Sequence, residues 1–105
     1  MRRLYSQPKI DKIIKTTAII GDQYNLLIFF ELNNFGEKSF NELKRMTSIN
    51  AVTLTRKLRS LEDKGLVGKR SSGKEVLYSL TAKAHELKRI IDDISKVVEN
   101  DSISL

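Results

Sequence analysis

The chain of 105 residues contains no cysteine, one proline, one histidine and five glycines. Without cysteine there is no disulfide framework, no thiolate zinc site and no thiol redox switch, and a cytoplasmic setting is the default expectation. So little proline and glycine, with 40% hydrophobic and 30% charged residues, excludes a disordered chain. Long apolar runs are also missing. "LLIFF" at 26–30 is far too short to cross a bilayer, and the start "MRRLYSQPK" turns polar at once, so neither export nor a membrane partner is expected. The lone His85 lies about 160° around its helix from Leu87, on the polar side. With no cysteine or carboxylate pair beside it, no metal, cofactor or enzyme activity is expected.

What the chain has in excess is positive charge, +6 in all, and its placement is uneven. Residues 41–75 carry nine Lys and Arg against four Asp and Glu, while residues 76–105 carry four against five. A basic excess confined to one segment is an electrostatic footprint for a polyanion, nucleic acid above all. At this length the chain suits one domain, 1–105, and small domains often draw stability from a partner subunit.

Periodicity predicts a mainly helical fold. Ile10, Ile13, Ile14, Thr17 and Ile20 recur at helical spacing from Pro8 until Gly21 stops them. Asp22 caps "QYNLLIFFELNN", whose apolar residues surround nearly the whole cylinder, which predicts a second helix buried all round. After the turn "NNFGEKS", Ser39 starts a short third helix, "FNELKRM". A fourth helix, about 50–64, is capped by Asn50 or Ser48 and stopped by Gly65. The period then becomes extended: "LVGKRSS" and "EVLYSL" flank Gly73, a two-stranded hairpin. Thr81 caps a last helix with Ala84, Leu87, Ile91, Ile94 and Val98 along one face and Ile90 and Val97 widening it, and "NDSISL" reads as a frayed tail.

This order, mainly α with a small β-hairpin wing, is that of a winged helix-turn-helix. Taking Leu54 as zero, Leu58 and Leu61 fall within about 40°, whereas Val52, Arg56 and Arg59 cluster near about 140° to 200°. The leucines therefore face the core and the arginines face away. An arginine in the major groove can donate two hydrogen bonds to guanine, and Thr or Val methyls can pack on thymine. Asn50, Ala51, Val52, Thr53, Thr55, Arg56, Lys57 and Arg59 form the expected recognition set. On the wing, Lys69, Arg70, Ser71, Ser72 and Lys74 suit phosphate contacts, which position a protein without reading sequence. Double-stranded DNA is the expected partner. RNA is disfavoured because the aromatics that would stack bases fall at core positions. A winged helix used only for protein interaction is the rival, set against this contiguous basic block.

The stretches "IGDQYNLLIFFEL", "KSFNELKRM", "INAVTLTRKLRSLEDKGLV" and "EVLYSLTAKAHEL" resemble the HxlR-type winged-helix transcriptional regulators, and more distantly the MarR type. The resemblance implies a dimeric DNA-binding regulator, with helix four as recognition helix and a dimer interface on the first and last helices. The chain departs from the family at Tyr24, where a tryptophan is usual, at Ala84, where a glycine is usual, and in lacking both the wing proline and the N-terminal sensing cysteine. The last departure excludes thiol sensing. Both terminal helices carry more apolar width than a small domain can cover, which predicts a homodimer buried through Ile10, Ile13, Ile14, Leu87, Ile90, Ile91, Ile94, Val97 and Val98.

Overall fold

The computed structural model describes residues 5–100; residues 1–4, and residues 101–105 that make up most of the expected tail, lie outside the described residues. In chain order the elements are α1 (Gln7–Ile20), α2 (Gln23–Phe35), β1 (Lys38–Ser39), α3 (Phe40–Thr47), α4 (Ala51–Asp63), β2 (Val67–Ser72), β3 (Glu75–Leu80) and α5 (Ala82–Glu99). This is the winged helix-turn-helix order that the periodicity predicts.

Each helix begins where a side-chain oxygen can satisfy its first N–H groups. Asp22 accepts from the backbone N–H of Tyr24 and Asn25, Asn50 from Thr53 and Thr81 from Ala84. Ser39 and Glu42 form a reciprocal capping box at 3.2 and 3.1 Å, which starts α3 sharply. Asn50 caps α4, and Ser48 instead ends α3 in a left-handed conformation. Gly65 takes φ +73° just beyond α4, a conformation that costs a residue with Cβ far more than glycine. That turn is fastened to α5 by Thr81, whose hydroxyl donates to the Gly65 carbonyl at 2.6 Å.

The core is a junction of α2, α3 and α4. Ile28, Leu43, Leu54 and Leu58 are fully buried there, with Phe29, Leu32, Leu61, Leu66, Val67 and Ala84 around them. Each such side chain stabilises the fold by about 1.5–3 kcal/mol relative to exposure. A second tie joins the same helices: Lys57 of α4 pairs with the Asp22 carboxylate that caps α2, and its ammonium lies 5.9 Å from the Tyr24 ring centre. Two sequence expectations need correction. Helix α2 is not buried all round: α1, α3, α4 and β3 pack against it but leave Leu27, Phe30 and Phe35 exposed. The wing is not two-stranded either. The two residues of β1 pair antiparallel with β3, Lys38 with Tyr78 and Ser39 with Leu77, giving the sheet order β1-β3-β2. A two-residue strand is too short to show any alternation.

Two stability outcomes follow from this packing. Leu54→Ala should cost about 2–5 kcal/mol, whereas Val52→Ala, two residues away but 75% exposed, should stay within about 0.5 kcal/mol, as read by denaturant unfolding. Burial pushes the Asp22 carboxyl up, but the Lys57 hydrogen bond and the Asn25 and Tyr24 backbone N–H groups outweigh it and hold the group below its ordinary value. A depressed carboxylate stabilises above its unfolded pKa and loses that contribution as pH falls through its folded pKa. Asp22→Asn, which keeps a capping oxygen, should therefore cost about 0.5–1 kcal/mol at neutral pH and almost nothing in strong acid, measured by thermal unfolding across pH.

Candidate nucleic-acid interface

With Leu54, Leu58 and Leu61 committed to the core, the outer side of α4 presents Val52, Thr55, Arg56 and Arg59, all exposed. Arg56 and Arg59 have no hydrogen bond or ion pair among the described residues, so the intrahelical pairing of Arg59 with Asp63 that would make them a merely solvated face is absent. The N-terminal turn is slim. Ala51 and Thr53 are half-buried beside Val52, and the exposed Thr55 donates its hydroxyl to the Ala51 carbonyl.

Two of the expected residues are placed otherwise. Lys57 is turned to Asp22, away from the arginines. Helical geometry already carries this signal, since residue 57 lies about 60° from the Leu54 direction, about 100° from Arg56 and about 160° from Arg59. Arg70 is the other case. On β2, Val67 faces the core and Lys69 stands 3.4 Å from Glu62 of α4, so strand alternation turns Arg70 to the opposite face of the sheet. There it meets Glu37, Nε to Oε2 at 2.7 Å and Nη2 to Oε1 at 2.9 Å. The Arg70 hydrogen bond holds the Glu37 carboxyl below its ordinary range and raises the guanidinium in turn. Ser71, Ser72 and Lys74 are exposed around the Gly73 turn, and Lys74 has no partner among the described residues.

The structure adds residues that the sequence reading passed over. Asn41, Lys44 and Arg45 of α3 line a shallow polar recess with Ser48 and Asn50 at the start of α4. Thr55 and Arg59 share a second recess with Lys69 and Tyr78, which joins the helix face to the inner face of the wing. The first could have been found from "LKR" in the last turn of a helix leading into the recognition helix, where the first helix of such motifs crosses the DNA backbone. His85 is exposed, and no group of three metal-ligating side chains exists among the described residues. No helix among them is long and apolar enough to cross a membrane.

The expected dimer residues fall into two groups. On α1, which buries no residue, Ile13 and Ile14 are exposed and Ile10 half-buried. On α5, Ile90, Ile94 and Val97 are exposed, Val98 is half-buried, and Leu87 and Ile91 pack partly against the core. An apolar groove runs between α1, α2 and α5, lined by Ile20, Leu26, Phe30, Ile90, Ile91 and Ile94. The radius of gyration is 15.9 Å, against about 13 Å for a compact single domain of this length.

Comparison with known proteins agrees with this geometry. Over 85% of this chain and 95% of the other, the structure resembles the redox regulator HypR in its oxidized form, at 30% identity and a TM-score of 0.72. The transcriptional repressor BigR from Xylella fastidiosa matches at 27% identity and TM-score 0.64, covering 86% of this chain and 96% of that one. Diamide-treated YodB from B. subtilis shares the fold, at 22% identity and TM-score 0.76 over 93% and 96% of the two chains. No curated protein matches the sequence. The profile of the HxlR-like helix-turn-helix family matches residues 19–103. The chain therefore belongs to the HxlR-like helix-turn-helix family, DNA-binding transcription regulators built on the winged helix.

Proposed function

We propose that this chain, acting as one domain, is a sequence-specific double-stranded DNA-binding regulator that works as a homodimer. The observation that carries the reading is the outer face of α4, where Arg56 and Arg59 stand exposed, without a partner among the described residues, opposite buried leucines. Arg56 and Arg59 donate to base edges in the major groove, Val52 and Thr55 supply methyl contacts, and Asn50, Ala51 and Thr53 allow the helix N-terminus to approach closely. Lys69, Ser71, Ser72 and Lys74 take phosphates on the flanking backbone, and Lys44 and Arg45 take phosphates on the side of α3. The two protomers meet through α1 and α5, with Ile13, Ile14, Ile90, Ile94 and Val97 as the buried stripe and Phe30 in the adjoining groove. Regulation of transcription, with no reaction catalysed, is the activity that this arrangement supports.

Two recognition helices related by a two-fold axis enter successive major grooves, so the preferred site is a pseudo-palindrome with half-site centres about 10 base pairs apart or a multiple of that. Arg56→Ala or Arg59→Ala should weaken the preferred duplex by about 1–3 kcal/mol and relax discrimination at one position per half-site. Lys74→Ala should weaken preferred and unrelated duplexes alike and lower the salt slope by about one unit per subunit. Salt titrations on both duplexes separate the two behaviours. Loss of all duplex affinity at low salt in the unaltered protein would favour the protein-interaction reading.

The dimer has its own check. Sedimentation at micromolar concentration should show two protomers, and Ile94→Asp should give a folded monomer with markedly weaker affinity for the two-half-site duplex. A monomeric unaltered protein would refute the interface.

A further inference from the structure

Arg70 belongs to the basic block by sequence but not by position. It lies on the face of the sheet away from α4, its guanidinium engaged in two parallel hydrogen bonds with Glu37. Glu37 immediately precedes β1, and β1 is separated from β2 by the intervening β3. The pair thus spans the sheet crosswise, joining residues 33 apart in sequence. Its two ends are anchored differently. On the Glu37 side, Ser39 is paired with Leu77 and also caps α3 in the capping box, so this end is rigidly attached to the first helix of the helix-turn-helix. On the Arg70 side, β2 ends at Ser72 and leads directly into the turn of Gly73 and Lys74. Between them β1 contributes only two residues of ladder. The base of the hairpin packs on the core through Val67, Tyr78 and Leu80, but residues 69–76 are all exposed, and a two-residue strand is a weak restraint on the angle of that outer part.

We propose that Glu37 and Arg70 form a strut that sets the angle of the wing relative to α3 and α4, so that Arg70 positions the DNA-contacting groups and does not itself hold a phosphate. The proposal rests on the DNA-binding reading above and narrows it. A fork-on-fork arginine–carboxylate pair is suited to such a role, because two parallel hydrogen bonds fix orientation as well as distance, which a lysine–carboxylate contact does not. Lys69 with Glu62 ties the inner face of the wing to α4, and the strut ties the outer face to the start of α3. The wing is held from both sides. The energy of each exposed pair is small, so the strut acts on orientation while leaving the global stability nearly unchanged.

The alternative role for Arg70, a phosphate ligand for which Glu37 is only a stand-in, makes opposite predictions. The test compares Glu37→Gln, Arg70→Ala and the double variant with the unaltered chain, on a duplex selected by the protein and on an unrelated duplex, over a range of salt. Hydrogen exchange of the β2 and β3 amides provides a readout that needs no DNA. For a strut, both single variants weaken the selected duplex by about two- to fivefold per subunit, the size expected from an exposed pair. The double variant is no weaker than either single one, the salt slope is unchanged, and wing amides exchange faster in all three. If Glu37→Gln tightens binding and steepens the slope while Arg70→Ala flattens it, Arg70 is a phosphate ligand and the proposal is wrong. If neither variant alters binding or wing exchange, the pair has no positioning role. Should the unaltered chain bind neither duplex at low salt, the DNA-binding reading itself falls, an outcome separable from the others because wing exchange still reports whether the strut exists.

Discussion

Everything functional in this molecule depends on the division of α4 into two faces. Leu54, Leu58 and Leu61 are driven inward by the hydrophobic effect against Ile28 and Leu43, and helical geometry then leaves Val52, Arg56 and Arg59 no direction but outward. The core therefore aims the interface. A substitution that rotated or tilted α4 would re-aim its outer face, the proposed recognition surface, without touching any of its residues, since the same packing fixes both. The Lys57–Asp22 tie reinforces that aim at the middle of the helix and the Gly65–Thr81 turn at its C-terminal end.

Charge in the basic segment is used in two ways. Lys57, Lys69 and Arg70 are engaged with acids contributed by α2, α4 and the approach to β1, while Arg56, Arg59 and Lys74 have no partner among the described residues. Lys57 and Arg70 hold elements in place, while Lys69, still 55% exposed beside Glu62, and the unpartnered group are accessible to a polyanion. Net charge alone does not distinguish them, although both raise the local positive potential felt at a distance. On the proposed function, the exposed stripes on α1 and α5 form a two-fold interface, because a single helix in the groove spans too few base pairs to specify a site.

Much of this was legible in the sequence. The 3.6-residue spacing of the leucines, the caps Asp22, Ser39, Asn50 and Thr81, and the hairpin around Gly73 locate the elements to within about two residues. What was not legible is long-range. Strand β1 has two residues and no alternation, so the pairing that brings Glu37 beside Arg70 left no local trace. The exposed half of α2 was hidden for a related reason: an all-round apolar helix looks the same whether it is buried by its own chain or by a partner. Lys57 differs, since its angular position already set it apart from Arg56 and Arg59.

If the outer face of α4 reads base edges in the major groove, methylation interference on a selected duplex will register it base by base. Dimethyl sulfate marks guanine N7, which projects into the major groove, and adenine N3, which projects into the minor groove. Binding should be lost on N7 methylation in two patches about one helical turn apart, or a multiple of that, and on N3 methylation at no position at their centres. Interference confined to adenine N3, or none at any base in a duplex that binds, would contradict major-groove reading by α4.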